Sequence, residues 1–161
     1  MPLEKSKFGW ERLETLLSEP NIRELLTQYW SELSPIKHIP LDIDWPRLLD
    51  WERQGIYRVW AARVDGTLAG FAAFYVQPHV YHRGTIIAVD GGHYLAPAFR
   101  DKGMLGWRMW RSLKAEFQRE GVQVGMLHDN AVRPLMPFFL ALGAEPLSTM
   151  WIWDLRGEES G

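Results

Sequence analysis

The segment from residue 90 to residue 110, DGGHYLAPAFRDKGMLGWRMW, constrains the fold of this chain more than any other. An apolar, β-prone run at residues 85–89 leads into it, and Pro97 marks where a strand must stop. A loop that contains glycines follows, and the apolar residues after the loop recur at helical spacing. The segment therefore predicts a strand, a glycine-bearing loop and an amphipathic helix in direct succession, an order that is common in α/β proteins.

The loop between this strand and this helix is basic and predicts an anion site. Residues 100–119 contain six basic and two acidic side chains, in a chain whose formal net charge is -2. The first turn of a helix leaves backbone N–H groups without partners and carries the positive end of the helix dipole, so a phosphate group can bind there. Glycine-bearing turns of this kind also occur in proteins that bind no ligand, and that alternative stays open from the motif alone.

Composition excludes several kinds of chemistry. The chain has no cysteine, which rules out disulfides, thiolate metal ligands and a cysteine nucleophile. With 47% hydrophobic and 24% charged residues, its 161 residues are typical of one soluble domain. The first residues do not form a signal peptide, and no apolar run is long enough to cross a bilayer, so we expect an intracellular, cytoplasmic protein with no membrane partner.

Periodicity and turn signals predict the other elements. Asp65-Gly66 is the strongest hairpin signal, and Asp44 is the expected N-cap of a helix with Pro46 in its first turn. Helices are predicted over residues 13–17, 22–33, 45–54, 105–120 and 132–142, and strands over residues 56–64, 67–76, 85–95, 122–127 and 147–155. Residues 2–10 are a poor strand candidate, and residues 156–161 are expected to be a disordered polar tail.

One pattern in the basic loop resembles a known family signature. Arg100-x-x-Gly103-x-Leu105-Gly106 is similar to the pyrophosphate-binding signature R/Q-x-x-G-x-G/A of the GNAT acetyltransferase superfamily, although Leu105 stands where a second glycine or alanine is usual. The order of predicted elements also resembles that family along nearly the whole chain, except for its first strand. Residues 70–100 further resemble acetyltransferase-like proteins of tailed phages.

The resemblance implies a fold and a co-substrate. The fold is α/β (α+β), a single GNAT-like domain over residues 1–155 whose mixed, mostly antiparallel sheet is flanked by helices, with the fourth and fifth strands splayed apart. The co-substrate is acetyl-CoA, held by the loop amides and by the backbone of the fourth strand, where Leu95 is the expected donor to the thioester carbonyl. The cofactor-binding residues implied in this way are Tyr94, Leu95, Arg100, Asp101, Lys102, Gly103, Met104, Leu105, Gly106, Asn130 and Phe139.

Phe139 stands four residues before Gly143, where the family often has a tyrosine that protonates the leaving thiolate. Phenylalanine has no proton to give. Water or another group must then protonate the thiolate, or the protein does not catalyse transfer.

Three side chains are candidates for the base that deprotonates an acceptor amine, namely Asp90, His93 and His128. A histidine needs little adjustment for this role because its ordinary pKa lies near neutrality. The alternatives are structural: Asp90 precedes Gly91-Gly92 and can close a turn or a bulge, and either histidine can serve only as a hydrogen-bonding group.

A second group of candidates lies between the predicted strands at residues 67–76 and 85–95. His79, Tyr81 and His82 can form one wall of an acceptor pocket, or belong to a solvated loop. No third ligand at a suitable spacing accompanies the two histidines, so no metal site is predicted.

These residues and the resemblance together predict an N-acetyltransferase that passes the acetyl group of acetyl-CoA directly to an amine. No serine or threonine stands in a nucleophile motif. The alternative is a GNAT-like binding or accessory protein that has lost transfer. A small amine, a protein amine and an aminated base of phage DNA stay open as acceptors, although a pI near 6.2 gives no general attraction to nucleic acid. A homodimer, and a host-cytoplasm location if the chain is phage-encoded, stay open as well.

Overall fold

A mixed sheet of five strands forms the centre of the computed structural model, which describes residues 5–101 and 104–152. The strands lie side by side in chain order: β1 Ser6–Glu11, β2 Tyr57–Val64, β3 Thr67–Pro78, β4 Ile86–Leu95 and β5 Val124–Met126. The first four pair antiparallel, and β5 pairs parallel with β4. This is the mixed, mostly antiparallel sheet that the sequence predicts.

Helices cover both faces of this sheet. They are α1 Leu13–Leu17, α2 Ile22–Leu33, α3 Trp45–Arg53, α4 Leu105–Arg119 and α5 Met136–Ala141, with a short 3-10 turn at Pro97–Phe99 before α4. The predicted start of α3 is confirmed, because the carboxylate of Asp44 accepts a hydrogen bond of 3.1 Å from the backbone nitrogen of Arg47. The hairpin at Asp65-Gly66 is confirmed too, since both residues have the positive φ that such a turn requires.

The core has two layers because the inner strands are apolar on both faces. Phe71 and Ala73 of β3 pack with the leucines of α1 and α2, whereas Ala72 and Phe74 pack with α4 and α5. Alternate residues of a strand point to opposite faces, so β3 fills both layers at once. Within the described part of the chain, no helix is long and apolar enough to span a membrane.

At the two ends of the chain the structure differs from the sequence pattern: residues 2–10 are a poor strand candidate but contain a strand, and the strand predicted over residues 147–155 is not found in its described part. A first strand does exist, since β1 pairs with β2 from Ser6 opposite Val64 to Glu11 opposite Val59. Cross-strand packing explains it, because the Trp10 ring meets the Trp60 ring edge-on at 5.0 Å, and such contacts outweigh weak local propensity. The last predicted strand is absent over residues 147–152, where Trp151 is 85% exposed.

The predictions for β5 (residues 122–127) and α5 (residues 132–142) place these elements correctly but make them too long. β5 has three residues and α5 has six, and the short edge of β5 offers little backbone for a further strand to pair with. Residues 153–161, which include the predicted tail, lie outside the described residues.

The fourth and fifth strands separate part of the way along β4. Their pairing runs from Ile87 opposite Val124 to Val89 opposite Met126, and β4 then continues to Leu95 with a partner on the β3 side alone. A gap therefore opens beside residues 90–95, at the level where the sequence places its candidate catalytic groups.

Candidate active site

Asp90 lies at the point where β4 and β5 separate, and it is the one charged residue in the described core that is fully buried, with 2% exposure. Its carboxylate accepts hydrogen bonds from the backbone nitrogens of Gly92 at 2.8 Å and His128 at 3.2 Å, and contacts Nδ1 of His93 at 2.7 Å. Three N–H partners explain why a buried carboxylate is tolerated here. Asp90 thereby ties β4 to the loop that follows β5.

A β-bulge brings His93 to the same face of the sheet as Asp90. Residues three apart in a regular strand point to opposite faces. The register of β3 and β4 shifts at Gly91, so Asp90 lies opposite Phe74 and His93 opposite Ala72, which both belong to the layer packed by α4. The bulge alternative for Asp90 is therefore part of the structure, and it is also what forms the Asp90–His93 pair.

The pair fixes the tautomer of His93. A carboxylate only accepts hydrogen bonds, so Nδ1 of His93 carries the hydrogen, and in the neutral form of the ring Nε2 carries the lone pair. The ring lies edge-on to Trp110 at 5.2 Å and to Phe139 at 6.1 Å between centroids, and the side chain is 12% exposed. His93 is thus an oriented imidazole in a largely apolar wall, able to accept a proton at Nε2.

Phe139 and His128 differ in how they relate to this pair. Phe139 is buried, and its ring contacts both His93 and Trp110. The residue that stands where the family has a proton donor is therefore a neighbour of the imidazole.

His128 is exposed and joins the Asp90–His93 pair through its backbone nitrogen. Asn130 donates to the carbonyl oxygen of Leu33 at 3.1 Å and so fastens the loop after β5 to the end of α2.

Arg100 is turned away from the start of α4. Its Nε donates to the carbonyl oxygen of Leu95 at 2.8 Å, and its guanidinium bonds to the carboxylate of Glu32 at 2.7 Å and lies over the ring of Tyr94. Arg100 therefore holds the loop against α2 and the end of β4. Asp101 is exposed, while Lys102 and Gly103 lie outside the described residues.

The start of α4 explains the leucine in the signature. Leu105 is 2% exposed and packs with Val64 and Ala69, so its side chain points into the core and not into the loop. Met104 before it has the left-handed φ of 55°, and no described side chain caps the helix. A Cβ on Gly106 would make an ordinary contact of 3.8 Å with Leu95. The first amides of α4 are thus left for another partner.

Glu32, which no sequence pattern singled out, joins three parts of the site. Its carboxylate accepts hydrogen bonds from the hydroxyl of Tyr94 at 2.7 Å, from Arg100 at 2.7 Å and from Arg133 at 2.8 Å. The hydrogen bond from Arg100 is the main reason why the pKa of Glu32 falls from its ordinary value of 4.5 to about 2. On a helical wheel Glu32 resembles any solvated acid, so only the tertiary contacts reveal its role.

We expect Glu32→Gln to destabilise the fold at neutral pH and to lose that effect in acid. Because the folded-state pKa is depressed, the ionised carboxylate stabilises the protein above about pH 4.5, and this stabilisation disappears as the pH falls towards about 2. Denaturant unfolding at a series of pH values measures the difference between variant and wild type. Glu24→Gln on the same helix is the control, since Glu24 is exposed and, among the described residues, its carboxylate bonds to Gln28 alone. A pH-independent difference would argue against the assigned role of Glu32.

The second group of candidates is not brought to this site. His79, Tyr81 and His82 form an exposed turn in which the two imidazole rings lie 4.6 Å apart, and Tyr81 is 86% exposed. The backbone nitrogen of His79 bonds to the carbonyl oxygen of Thr85, and Asp90 lies five steps of about 3.3 Å further along the chain. Among the described residues, no group of three or more side chains could hold a metal ion.

Comparisons with known proteins agree with this architecture. The family model of the acetyltransferase (GNAT) family matches residues 20–144. No curated protein sequence matches the chain. Among solved structures, the aminoglycoside acetyltransferase meta-AAC0020 from an uncultured soil metagenomic sample is similar, with a TM-score of 0.70, 15% identity, and coverage of 94% of this chain and 97% of that one.

Two further structures are similar over nearly their whole length. The ribosomal-protein-alanine N-acetyltransferase from Brucella melitensis biovar Abortus 2308 has a TM-score of 0.69 and 19% identity, covering 95% of this chain and 98% of its own. An acetyltransferase from Clostridium acetobutylicum, solved with acetyl-CoA, has a TM-score of 0.60 and 15% identity, covering 94% and 97%. Because the family match spans most of the chain and the folds agree along its length, the chain belongs to the GNAT acetyltransferase family.

Proposed function

We propose that this protein transfers an acetyl group from acetyl-CoA directly to an amine, with His93 accepting the proton and Asp90 positioning His93. The observation that carries the proposal is the buried pair in which Nδ1 of His93 lies 2.7 Å from the carboxylate of Asp90, beside the gap between β4 and β5. Membership of the GNAT family supports the same chemistry.

The residues around the gap fit acetyl-CoA. The first amides of α4 have no described side-chain cap, Gly106 leaves their surface bare, and an anion such as a diphosphate suits the positive end of a helix. The backbone of residues 94–95 borders the gap, because β5 does not reach this part of β4, and it would bind the pantetheine arm. Arg100 would contribute by keeping the loop in place through Leu95 and Glu32 rather than by contacting the ligand.

His93 can serve both proton transfers of the reaction. The amine nitrogen bonds to the carbonyl carbon of the thioester, and the bond from that carbon to sulfur breaks. Nε2 of His93 accepts the proton that the nitrogen loses and returns it to the sulfur, so the imidazole ends as it began. The imidazole ring lies 6.1 Å from the ring of Phe139, the residue at the family's donor position. His93 thus lies close to where the missing tyrosine hydroxyl would act.

Thiol release from acetyl-CoA, measured with a panel of amines, tests the proposal. The panel includes a primary alkylamine, a peptide with a free N-terminus and an aminoglycoside, the last because several similar structures are aminoglycoside acetyltransferases. We expect thiol release to match the amount of acetylated amine found by mass spectrometry.

A GNAT-like binding protein is the second candidate, and Phe139 at the donor position is the observation that favours it. Calorimetric binding of acetyl-CoA without acetylation of any amine in the panel would establish this second candidate and reject the transferase.

A further inference from the structure

Four aromatic side chains lie together on the α2 face of the sheet, against the two glycines of the β4 bulge. This aromatic cluster consists of Tyr29 on α2, Trp51 on α3, Tyr57 on β2 and Tyr75 on β3. A Cβ on Gly91 would lie 2.7 Å from the Tyr75 ring, and a Cβ on Gly92 would lie 2.6 Å from the Tyr29 hydroxyl. The ring and the hydroxyl therefore rest directly on the backbone of β4.

Tyr75 packs against two other rings of the cluster, tilted to Tyr57 and edge-on to Trp51, and Tyr29 packs against the neighbouring core. Tyr75 lies 5.3 Å from Tyr57 and 5.8 Å from Trp51 between ring centroids, and Tyr29 packs edge-on to Phe71 at 5.6 Å. All four members are partly exposed, and Gly91 is exposed beside them. The cluster is therefore held in place by the fold but is still accessible to a ligand.

The hydroxyl groups of the cluster have no partner within the described part of the chain. Tyr94, by contrast, donates its hydroxyl hydrogen to Glu32 at 2.7 Å. None of the three is a buried atom without a partner, so these hydroxyls are open to water and are available to a ligand.

The electrostatic environment of the cluster favours a cation. Asp90 lies beneath Gly91-Gly92, and no described lysine or arginine neutralises it. Burial and then the charge of Asp90 raise the pKa of Tyr29, and burial, the neighbouring tyrosines and Glu52 raise the pKa of Tyr57. Burial disfavours any charge, but the negative charges of Asp90 and Glu52 act on Tyr29 and Tyr57 in the sense that would stabilise a cation. Arg47 is exposed, and its guanidinium lies over the Trp51 ring at 5.9 Å from the centroid.

We infer that the aromatic cluster is the recognition site for the acceptor, and that it binds an alkylammonium group over the faces of Tyr75 and Tyr29. Aromatic faces attract cations through the ring quadrupole, and cages of such rings bind quaternary ammonium groups. The two glycines carry no side chain between the cluster and the backbone of β4, whose other edge borders the gap. The identity of the ligand as acceptor rests on the proposed function, whereas cation binding does not.

Calorimetry with choline and with 3,3-dimethyl-1-butanol tests the inference, because the two molecules have the same shape and differ in charge. We expect choline to bind about tenfold more tightly than the neutral alcohol, the magnitude expected of a partly desolvated cation–aromatic contact. Tyr75→Leu should abolish the difference and Tyr75→Phe, which keeps the ring, should retain it. Tyr81→Leu is the matched control, since Tyr81 lies in the exposed turn 79–85.

Equal binding of the two molecules to the wild-type protein, or no binding of either, would overturn the inference without reference to any variant. A preference for choline that is lost in Tyr81→Leu and kept in Tyr75→Leu would place the cation at the exposed turn instead. Neither measurement requires turnover. Choline preference without acetylation of any amine would support the cation site and reject the transferase. Acetylation without choline preference would support the transferase and reject the cation site.

Discussion

Replacing His93 with glutamine is expected to lower kcat by about 10²-fold or more, the loss typical of a missing general base, while the KM for acetyl-CoA changes little. Glutamine approximates the size of the imidazole and can still bond to the carboxylate of Asp90, so the wall formed with Trp110 and Phe139 should be kept. What it cannot do is accept a proton at the position of Nε2. Steady-state kinetics with the best amine of the panel provide the measurement.

Two further variants separate the roles around His93. His128→Gln should have little effect, because His128 meets Asp90 through its backbone nitrogen and its side chain is exposed. Asp90→Asn should lower kcat, since an amide oxygen orients the imidazole less strongly than a carboxylate. Equal, small losses in all three variants would mean that water carries the proton and that these residues only position groups.

The elements that could be predicted from the sequence are those with local signals. The hairpin at Asp65-Gly66 needs positive φ at adjacent residues, and Asp44 caps its helix from three residues away, so each signal and its structure lie within a few residues. β1 forms for a non-local reason, since its pairing with β2 joins Phe8 to Ala62 across more than fifty residues of chain. Neither propensity nor periodicity reports a partner at that distance.

In the candidate site, too, residue types could be predicted from the sequence, whereas the contacts between distant residues could not. Asp90 and His93 stand out as residue types that suit acid–base chemistry, but a regular strand would separate them, and only the bulge at Gly91 brings them together. Glu32, Tyr29 and Tyr75 gave no signal, because an acid on an exposed helix face and a tyrosine at a core position are ordinary in any sequence. Their meaning comes from what they contact in the fold.

Leu105 shows how the fold resolves a mismatch with a motif. If Leu105 belonged to the loop, its bulky side chain would lie where a phosphate needs bare backbone. In the structure its side chain belongs to the core beneath α4, 2% exposed, and the glycine one position later leaves the surface of the first turn free. The departure from the family signature therefore does not block an anion at this helix.

Gly106→Val is expected to weaken the binding of acetyl-CoA by about 10²-fold, which corresponds to the loss of one or two charge-assisted hydrogen bonds between the diphosphate and the helix amides. The folded chain itself does not need a glycine at this position, since a Cβ there would meet Leu95 at an ordinary 3.8 Å. Gly103, the other glycine of the loop, lies outside the described residues. Gly106 is therefore the loop glycine at which the neighbours of an added side chain are known.

A graded series makes this test specific to the ligand. Gly106→Ala should keep or raise the melting temperature, because alanine favours a helix over glycine by about 1 kcal/mol, and should bind acetyl-CoA with an affinity between those of wild type and Gly106→Val. Gly9→Val on β1 is the control, since a Cβ on Gly9 has no neighbour within 4 Å and lies at the opposite edge of the sheet from the gap. Calorimetry gives the affinities and thermal unfolding gives the stabilities. If both Gly106 variants melt like the wild type and bind acetyl-CoA as tightly, the diphosphate does not lie at the start of α4.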